Sequence, residues 1–349
     1  AEGTFANSYQ IDGTIRAPGY GFYLVGNRTA VTIGQTGVME GGTAVALYGS
    51  DSTVVNNGDI TSSNDAIAAY GAGSIIRNNG TIAGTTGLSV SGNGSAAFNS
   101  EHGQLLASSD AFYSDAAAGE TVRFVNRGLV VAAEYAVEGG NEDTYVRNSG
   151  RMIGDIDLGG GDNIVNLMGG ILKGGITGGS GTDVLYTDRS HYQLTEQADG
   201  GTDYVYSTAS YILGENVEYL FLQGKANITG DGNNSKNTIL GTAGNNILHG
   251  WGDSDLLIGA GGDDHLFGDA GYDAFSFEKN HGRDIIEDFD LAEDVMYIDQ
   301  WIKTPTFQQV LDHTRDVDGN AVVQFGDDSI CILGVHKADL NFRHFNIPL

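Results

Sequence analysis

Five amide or carboxylate side chains recur every nine residues: Asn237, Asn246, Asp255, Asp264 and Asp273. Each is the sixth residue of a block that opens with glycine, and the blocks read GNNSKNTIL, GTAGNNILH, GWGDSDLLI, GAGGDDHLF and GDAGYDAFS. Glycine lets the backbone turn tightly with positive φ and direct its carbonyls towards one point. Carbonyl and carboxylate oxygens without sulfur or imidazole suit a hard cation, and their flexible high coordination favours calcium over magnesium. The expected ligands in this run are Asn246, Asp253, Asp255, Gly262, Asp264, Gly271 and Asp273.

The eighth position of each block is apolar: Ile239, Leu248, Leu257, Leu266 and Phe275. A block this short can bury that residue only against its neighbours, so the period predicts a solenoid with layers about 4.8 Å apart. Five apolar residues in phase argue against a flexible Gly/Asp-rich linker. The run resembles the RTX repeat family, whose nonapeptide G-G-x-G-x-D-x-U-x builds a calcium-bound parallel β-roll. Asp253 and Ser235 depart from its second glycine, and Asn237 and Asn246 from its aspartate. The resemblance implies several calcium ions, export by type I machinery through an uncleaved C-terminal signal, and repeats that fold only outside the cell.

Similar single blocks occur earlier, LGGGDNIVN at 158–166 and GGSGTDVLY at 178–186, the second with Asp183 at the sixth position. Residues 200–223, with Asp203 and Asn216, resemble the spacer that precedes such arrays. The stretch 281–299 resembles the segment that closes them, with Asp284, Asp288 and Asp290 expected to complete the last calcium sites. Thr304 and Pro305 open an expected helix carrying Phe307, Val310 and Leu311 on one face. A hairpin is expected around Gly326, Asp327 and Asp328. The final residues resemble the family's terminal strand, with His344-Phe345 where an acidic-Phe pair is usual.

The first 185 residues carry a longer period. Glycines followed closely by Ile, Val or Leu fall at 13, 37, 58, 80, 103, 128, 150 and 170. A second short apolar run follows some of them. Asn56, Asn78, Asn126 and Asn148 sit two residues before such glycines, a spacing that predicts an asparagine ladder. The period predicts a parallel β-helix of about eight coils. Its phrasing resembles filamentous haemagglutinin-type and autotransporter repeats. The expected fold is therefore all-β: a parallel β-helix (1–185), spacer coils (186–231), a calcium-bound β-roll (232–280), and a small β-rich cap with one helix (281–349). These are expected to form one elongated body.

Composition narrows the partners. Asp and Glu number 45 against 17 Lys and Arg, a formal charge of −28, which argues against nucleic acid or anionic membrane and for bound cations. The one cysteine, Cys331, excludes an internal disulfide, and no apolar run is long enough to span a bilayer. The eight histidines form no zinc-protease motif; His249 and His265 are expected to be solvated. For catalysis, the best local cluster is Arg151, Asp155, Asp157 and Lys173, a weak set whose common face the sequence does not establish. Tyr20, Tyr23, Tyr48, Tyr70 and Tyr113 recur near the second strand of successive coils. Exposed, they would stack on sugars or another protomer; buried, they would fill the core. The expected function is a secreted, calcium-dependent binding or structural protein: an adhesin, matrix or surface-layer-like component. Its partner would be an extracellular polysaccharide, a cell-surface component or further copies of itself. The competing class is a polysaccharide lyase, epimerase or glycanase with a groove on the β-helix. A toxin is disfavoured because no membrane-inserting amphipathic stretch appears.

Overall fold

The structure, a computed structural model, describes residues 6–198, 200–298 and 306–346. It contains two compact units, residues 1–186 with 195–201 and residues 187–194 with 202–349. Both are parallel β-solenoids.

In the first unit each coil lays one strand on a continuous parallel sheet running Asn7–Ile11, Thr29–Ile33, Thr53–Asn56, Ile75–Asn78, Ser95–Asn99, Thr121–Asn126, Asp143–Asn148 and Ile164–Asn166. Strict register stacks like on like. Val31, Val54, Ile76, Ala97, Phe124 and Val146 form one inward row, all fully buried. After a turn the chain enters a second row of strands, and each begins directly after one of the eight periodic glycines. There Met39, Ile60, Ile82, Leu105, Val130, Met152 and Leu172 stack inward. The turn glycines are required by proximity: a Cβ on Gly80 would overlap the carbonyl oxygen of Gly58 one coil below.

The asparagine ladder forms and is longer than its spacing suggests. Nδ2 of Asn56 donates to Oδ1 of Asn78, Asn78 to Asn99, Asn99 to Asn126, and Asn126 to Asn148, each at 2.8 Å. Asn99 escapes the sequence pattern because its turn is longer, placing it four residues before Gly103. Its Nδ2 reaches the Gly103 carbonyl at 3.1 Å and so closes that longer turn.

In the second unit, two nine-residue blocks make one coil. Strands Thr238–Leu240, Leu256–Ile258, Ala274–Ser276 and Val295–Tyr297 pair in parallel on one side. Thr229–Asp231, Ile247–His249, His265–Phe267 and Arg283–Ile286 pair on the other. The five eighth-position residues are completely buried between these two walls. The second wall ends as expected in a hairpin, where Asp328–Ile332 continues the parallel stack and turns it antiparallel through Asn320–Phe325 and Thr314–Val317. This covers the open edge that would otherwise template aggregation.

Two details of the cap differ from expectation. The helix, Phe307–Asp312, is capped by Thr306, whose side chain accepts from the Gln309 amide, in a capping box with Gln309. Thr304 and Pro305 lie outside the described residues. The terminal segment is a 3-10 turn, Phe342–His344, followed by a single bridge from Phe345 to Met296, and not a strand. Its buried His344 ring lies 3.0 Å from the Leu291 carbonyl, a contact that favours the turn.

Replacing Asn99 or Asn126 by Ala should lower unfolding free energy by about 1–3 kcal/mol, because a buried amide loses both its neighbours. Asn57→Ala, on an exposed rung, should cost about 0.5 kcal/mol or less. Urea unfolding of the three variants checks this; equal costs would contradict the ladder's structural role.

Candidate metal centre

Because a coil is two blocks long, each sixth-position residue meets the one 18 to 21 positions on. The amides of Asn237 and Asn246 donate to Oδ1 of Asp255 and Asp264 at 2.7 Å. Those of Asp255 and Asp264 donate to Oδ1 of Asp273 and Asp284 at 2.9 and 3.0 Å. The amide of Asp273 donates to Oδ1 of Asp294 at 2.9 Å. One carboxylate oxygen is thereby fixed by the backbone of the preceding layer.

The other oxygen is left over. Oδ2 of Asp255, Asp264 and Asp273 is buried and has no hydrogen-bond partner. Burial, opposed by the amide bonds and reinforced by neighbouring aspartates, pushes Asp264 up to about 8 and Asp255 and Asp273 up to about 7. A buried carboxylate oxygen without a donor needs a proton or a cation. The block's opening glycine leaves the room: a Cβ on Gly250, Gly259 or Gly268 would fall on Oδ2 of Asp255, Asp264 or Asp273.

The turn backbone follows the same division. At the second and fourth positions of the last three blocks φ is positive: Trp251 (78°) and Asp253 (67°), Ala260 (70°) and Gly262 (121°), Asp269 (63°) and Gly271 (149°). The corresponding residues of the first two blocks, Asn233, Ser235, Thr242 and Gly244, do not adopt it. There the asparagine closes its own turn. Asn246 Oδ1 accepts from the Thr242 amide at 2.6 Å, and its Nδ2 donates to the Ile228 carbonyl at 3.0 Å. Asn237 does the same with the Asn233 amide and the Val217 carbonyl. An asparagine carries its own donor, so the side chains of Asn237 and Asn246 close these turns by hydrogen bonds to the chain's own backbone.

The remaining expected ligands divide likewise. Asp284 is buried with its Oδ2 2.7 Å from His281 Nδ1. Asp288 accepts from the amides of Gly268 and Asp269 with its two oxygens, and Asp290 accepts from the Ala292 amide. Asp288 and Asp290 therefore cap turns rather than join the stack. The stack position belongs to Asp294, which burial raises to about 6 and which the sequence pattern missed because the last block is longer. Asp253 turns its Oδ1 back to the Ser254 amide at 2.8 Å; its contribution is the left-handed turn.

In the first unit, Asp183 repeats the arrangement. Its Oδ1 accepts from the Asn163 amide at 3.0 Å, Gly179 and Gly181 have positive φ, and burial raises it to about 6. Glu196, which no repeat marks, brings a buried carboxylate within 4.8 Å of it. Glu196 also accepts from the Gly179 amide at 3.0 Å.

The catalytic candidates lie on two adjacent layers, Lys173 pairing with Ile153 of the strand that carries the other three. Arg151, Asp155 and Asp157 lie along the strand Arg151–Asp157, which bends at Gly154 (φ 119°), so the aspartates fall past the bend. Asp155 accepts from the Gly175 amide and Asp157 from the Gly159 amide. Among the described residues no hydrogen bond or ion pair joins Arg151, Asp155, Asp157 and Lys173 to one another. The two histidines are less free than expected: His249 stacks on Phe267 and pairs with Asp269, and His265 pairs with Glu287.

Residues 231–266 and 241–275 match the family described as the RTX calcium-binding nonapeptide repeat (4 copies). This stretch is an RTX array, and RTX repeats bind calcium ions. A comparison with curated proteins found no match. Seven chains of solved structure match, among them the extracellular lipase LipA from Serratia marcescens. That protein is 17% identical over 66% of this chain and 40% of its own, with a TM-score of 0.24. The match thus spans about two fifths of the lipase's length, and a TM-score of that size establishes no shared arrangement.

Asp264→Ala with Asp273→Ala should weaken calcium binding, measured by calorimetry, far more than Asn246→Ala; equal losses would contradict the division between open and closed turns. The calcium-free protein should also titrate. The folded-state values near 7 and 8 lie above the unfolded carboxylate value of about 4. Their stabilising contribution is therefore full below about pH 4 and lost as pH rises towards 8. The melting temperature without calcium should fall between pH 5 and pH 8, and Asp264→Asn should flatten that fall. A calcium-free melting temperature that rises over this interval would refute the assignment.

Proposed function

We propose that this is a secreted protein whose RTX roll folds on calcium outside the cell and supports a β-helix that binds or builds rather than catalyses. The observation that carries the reading is the set of buried, donor-less Oδ2 atoms, Asp255 and Asp273 in one column and Asp264 in the other. Ionised carboxylates stacked layer on layer, Asp255, Asp273 and Asp294 on one side and Asp264 and Asp284 on the other, repel one another, so the roll needs cations between its turns at neutral pH. Such sites stay empty at cytosolic calcium and fill at extracellular levels. RTX repeats are typical of type I-secreted extracellular proteins, which supports export by that route, and no helix among the described residues is long and apolar enough to cross a membrane.

An adhesin, matrix or surface-layer-like role is preferred to a polysaccharide-modifying enzyme because Arg151, Asp155, Asp157 and Lys173 are not joined into a site. The exposed tyrosines pack on one another along the coils. Tyr23, Tyr48 and Tyr70 are exposed, but successive centroids are 4.8 and 4.9 Å apart, so the rings cover one another's faces. They present edges and hydroxyls to solvent.

Chelation with EDTA at pH 7.5 should abolish the β-sheet circular dichroism of the 232–290 region, read on the intact chain as a partial loss of signal. It should also lower the melting temperature, with calcium restoring both. A spectrum and melting curve unchanged by chelation would refute calcium-conditional folding.

A further inference from the structure

The first sheet of the β-helix has an outer face unlike the rest of this acidic chain. Its strands from Thr53–Asn56 to Ile164–Asn166 carry three arginines, Arg77, Arg123 and Arg147, and one carboxylate, Asp143. All three arginines are exposed, and among the described residues none has an ion-pair partner. Two lie over aromatic rings. The Arg77 guanidinium carbon lies 4.8 Å from the ring centre of Phe98 one layer up, and that of Arg123 lies 4.8 Å from Tyr145. An exposed guanidinium held over a ring keeps N–H groups available, and such groups can grip a carboxylate or sulfate with two parallel bonds.

The positions form a track. Register puts Arg77 and Arg147 in one row three layers apart, about 14 Å, with Arg123 on the intervening layer next to Arg147. Beside Arg123 an open groove of about 520 Å³ is lined by Phe98, Arg123, Asp143, Tyr145, Asp162 and Ile164; Arg77 and Arg147 lie outside it. Both aspartates are engaged by the chain, accepting from the Asp162 and Thr182 amides at 2.9 and 2.8 Å.

We propose that this face binds a linear acidic polysaccharide lying along the solenoid, its carboxylate or sulfate groups on Arg77, Arg123 and Arg147 and its sugar rings against Phe98, Tyr145 and Ile164. This rests on the extracellular binding role proposed above and gives it a ligand class. Three cations spread over about 14 Å match a polymer with one charge every sugar or two; duplex DNA, with a charge every ~1.7 Å, would meet too few cations on this face. At physiological salt the screening length is about 8 Å, so the local face, not the net charge, governs the contact.

The test uses the full chain with calcium in 0.15 M salt against immobilised hyaluronate, dextran sulfate and neutral dextran. Binding to hyaluronate, to dextran sulfate or to both, with none to dextran, is expected; which one binds identifies carboxylate or sulfate as the group recognised. Arg77→Gln with Arg123→Gln and Arg147→Gln should weaken binding at least tenfold. Removing three positive charges elsewhere, by Arg28→Gln, Lys225→Gln and Lys279→Gln, should change it less than twofold. Calcium-dependent circular dichroism of each variant establishes that it folds, and the Arg→Lys triple variant should bind with intermediate affinity. Equal binding to dextran, undiminished binding by the glutamine triple variant, or binding to none of the three polymers would overturn the proposal. So would tighter binding to duplex DNA or anionic vesicles, or a dimer in light scattering that the glutamine variant abolishes. EDTA-sensitive folding without polysaccharide binding would sink this inference alone and leave the calcium-dependent reading standing.

Discussion

Stacking in register at about 4.8 Å places every side chain above and below its own kind, and the rest of the molecule follows from how each kind tolerates that. Apolar residues gain by it, as in the Val31–Val146 row and the buried eighth positions of the nonapeptides. Amides also gain, because each carries both a donor and an acceptor, and the Asn56–Asn148 ladder is complete in itself. Carboxylates have only acceptors. A column of them is satisfied on one side by backbone amides and needs something positive on the other.

The contrast between asparagine and aspartate at the same repeat position makes this visible within one roll. Where Asn237 and Asn246 stand, the turn closes on itself with ordinary backbone angles. At Asp255, Asp264 and Asp273 the second and fourth residues swing to positive φ and leave an oxygen facing inwards. A bulky Trp251 held at φ 78° is part of that cost, which the geometry of the turn imposes. The array thus begins with turns closed by asparagine and continues with turns that leave a buried carboxylate oxygen without a donor.

Much of this was legible in the sequence, because solenoid periods write the burial pattern directly into the chain. The eight glycines that open second-face strands, the in-phase apolar residues and most of the asparagine ladder could be read off. What escaped was whatever a changed turn length displaced: Asn99, four rather than two residues before its glycine, and Asp294, beyond the nine-residue count. Asn246, Asp288 and Asp290 show the converse, oxygens that the sequence marks and that accept from backbone amides in the fold. Composition marks an oxygen, but only the fold shows whether that oxygen already has a donor. Glu196 carried no repeat signal, since the coil that brings it to Asp183 is irregular.

The most direct measurement is a crystal structure of the calcium-loaded protein with anomalous data collected at long wavelength. The account predicts anomalous peaks about 2.4 Å from Oδ2 of Asp255, Asp264 and Asp273, with Asn246 still bonded to Thr242 and Ile228. Well-ordered turns with no anomalous peak at those three oxygens would contradict it.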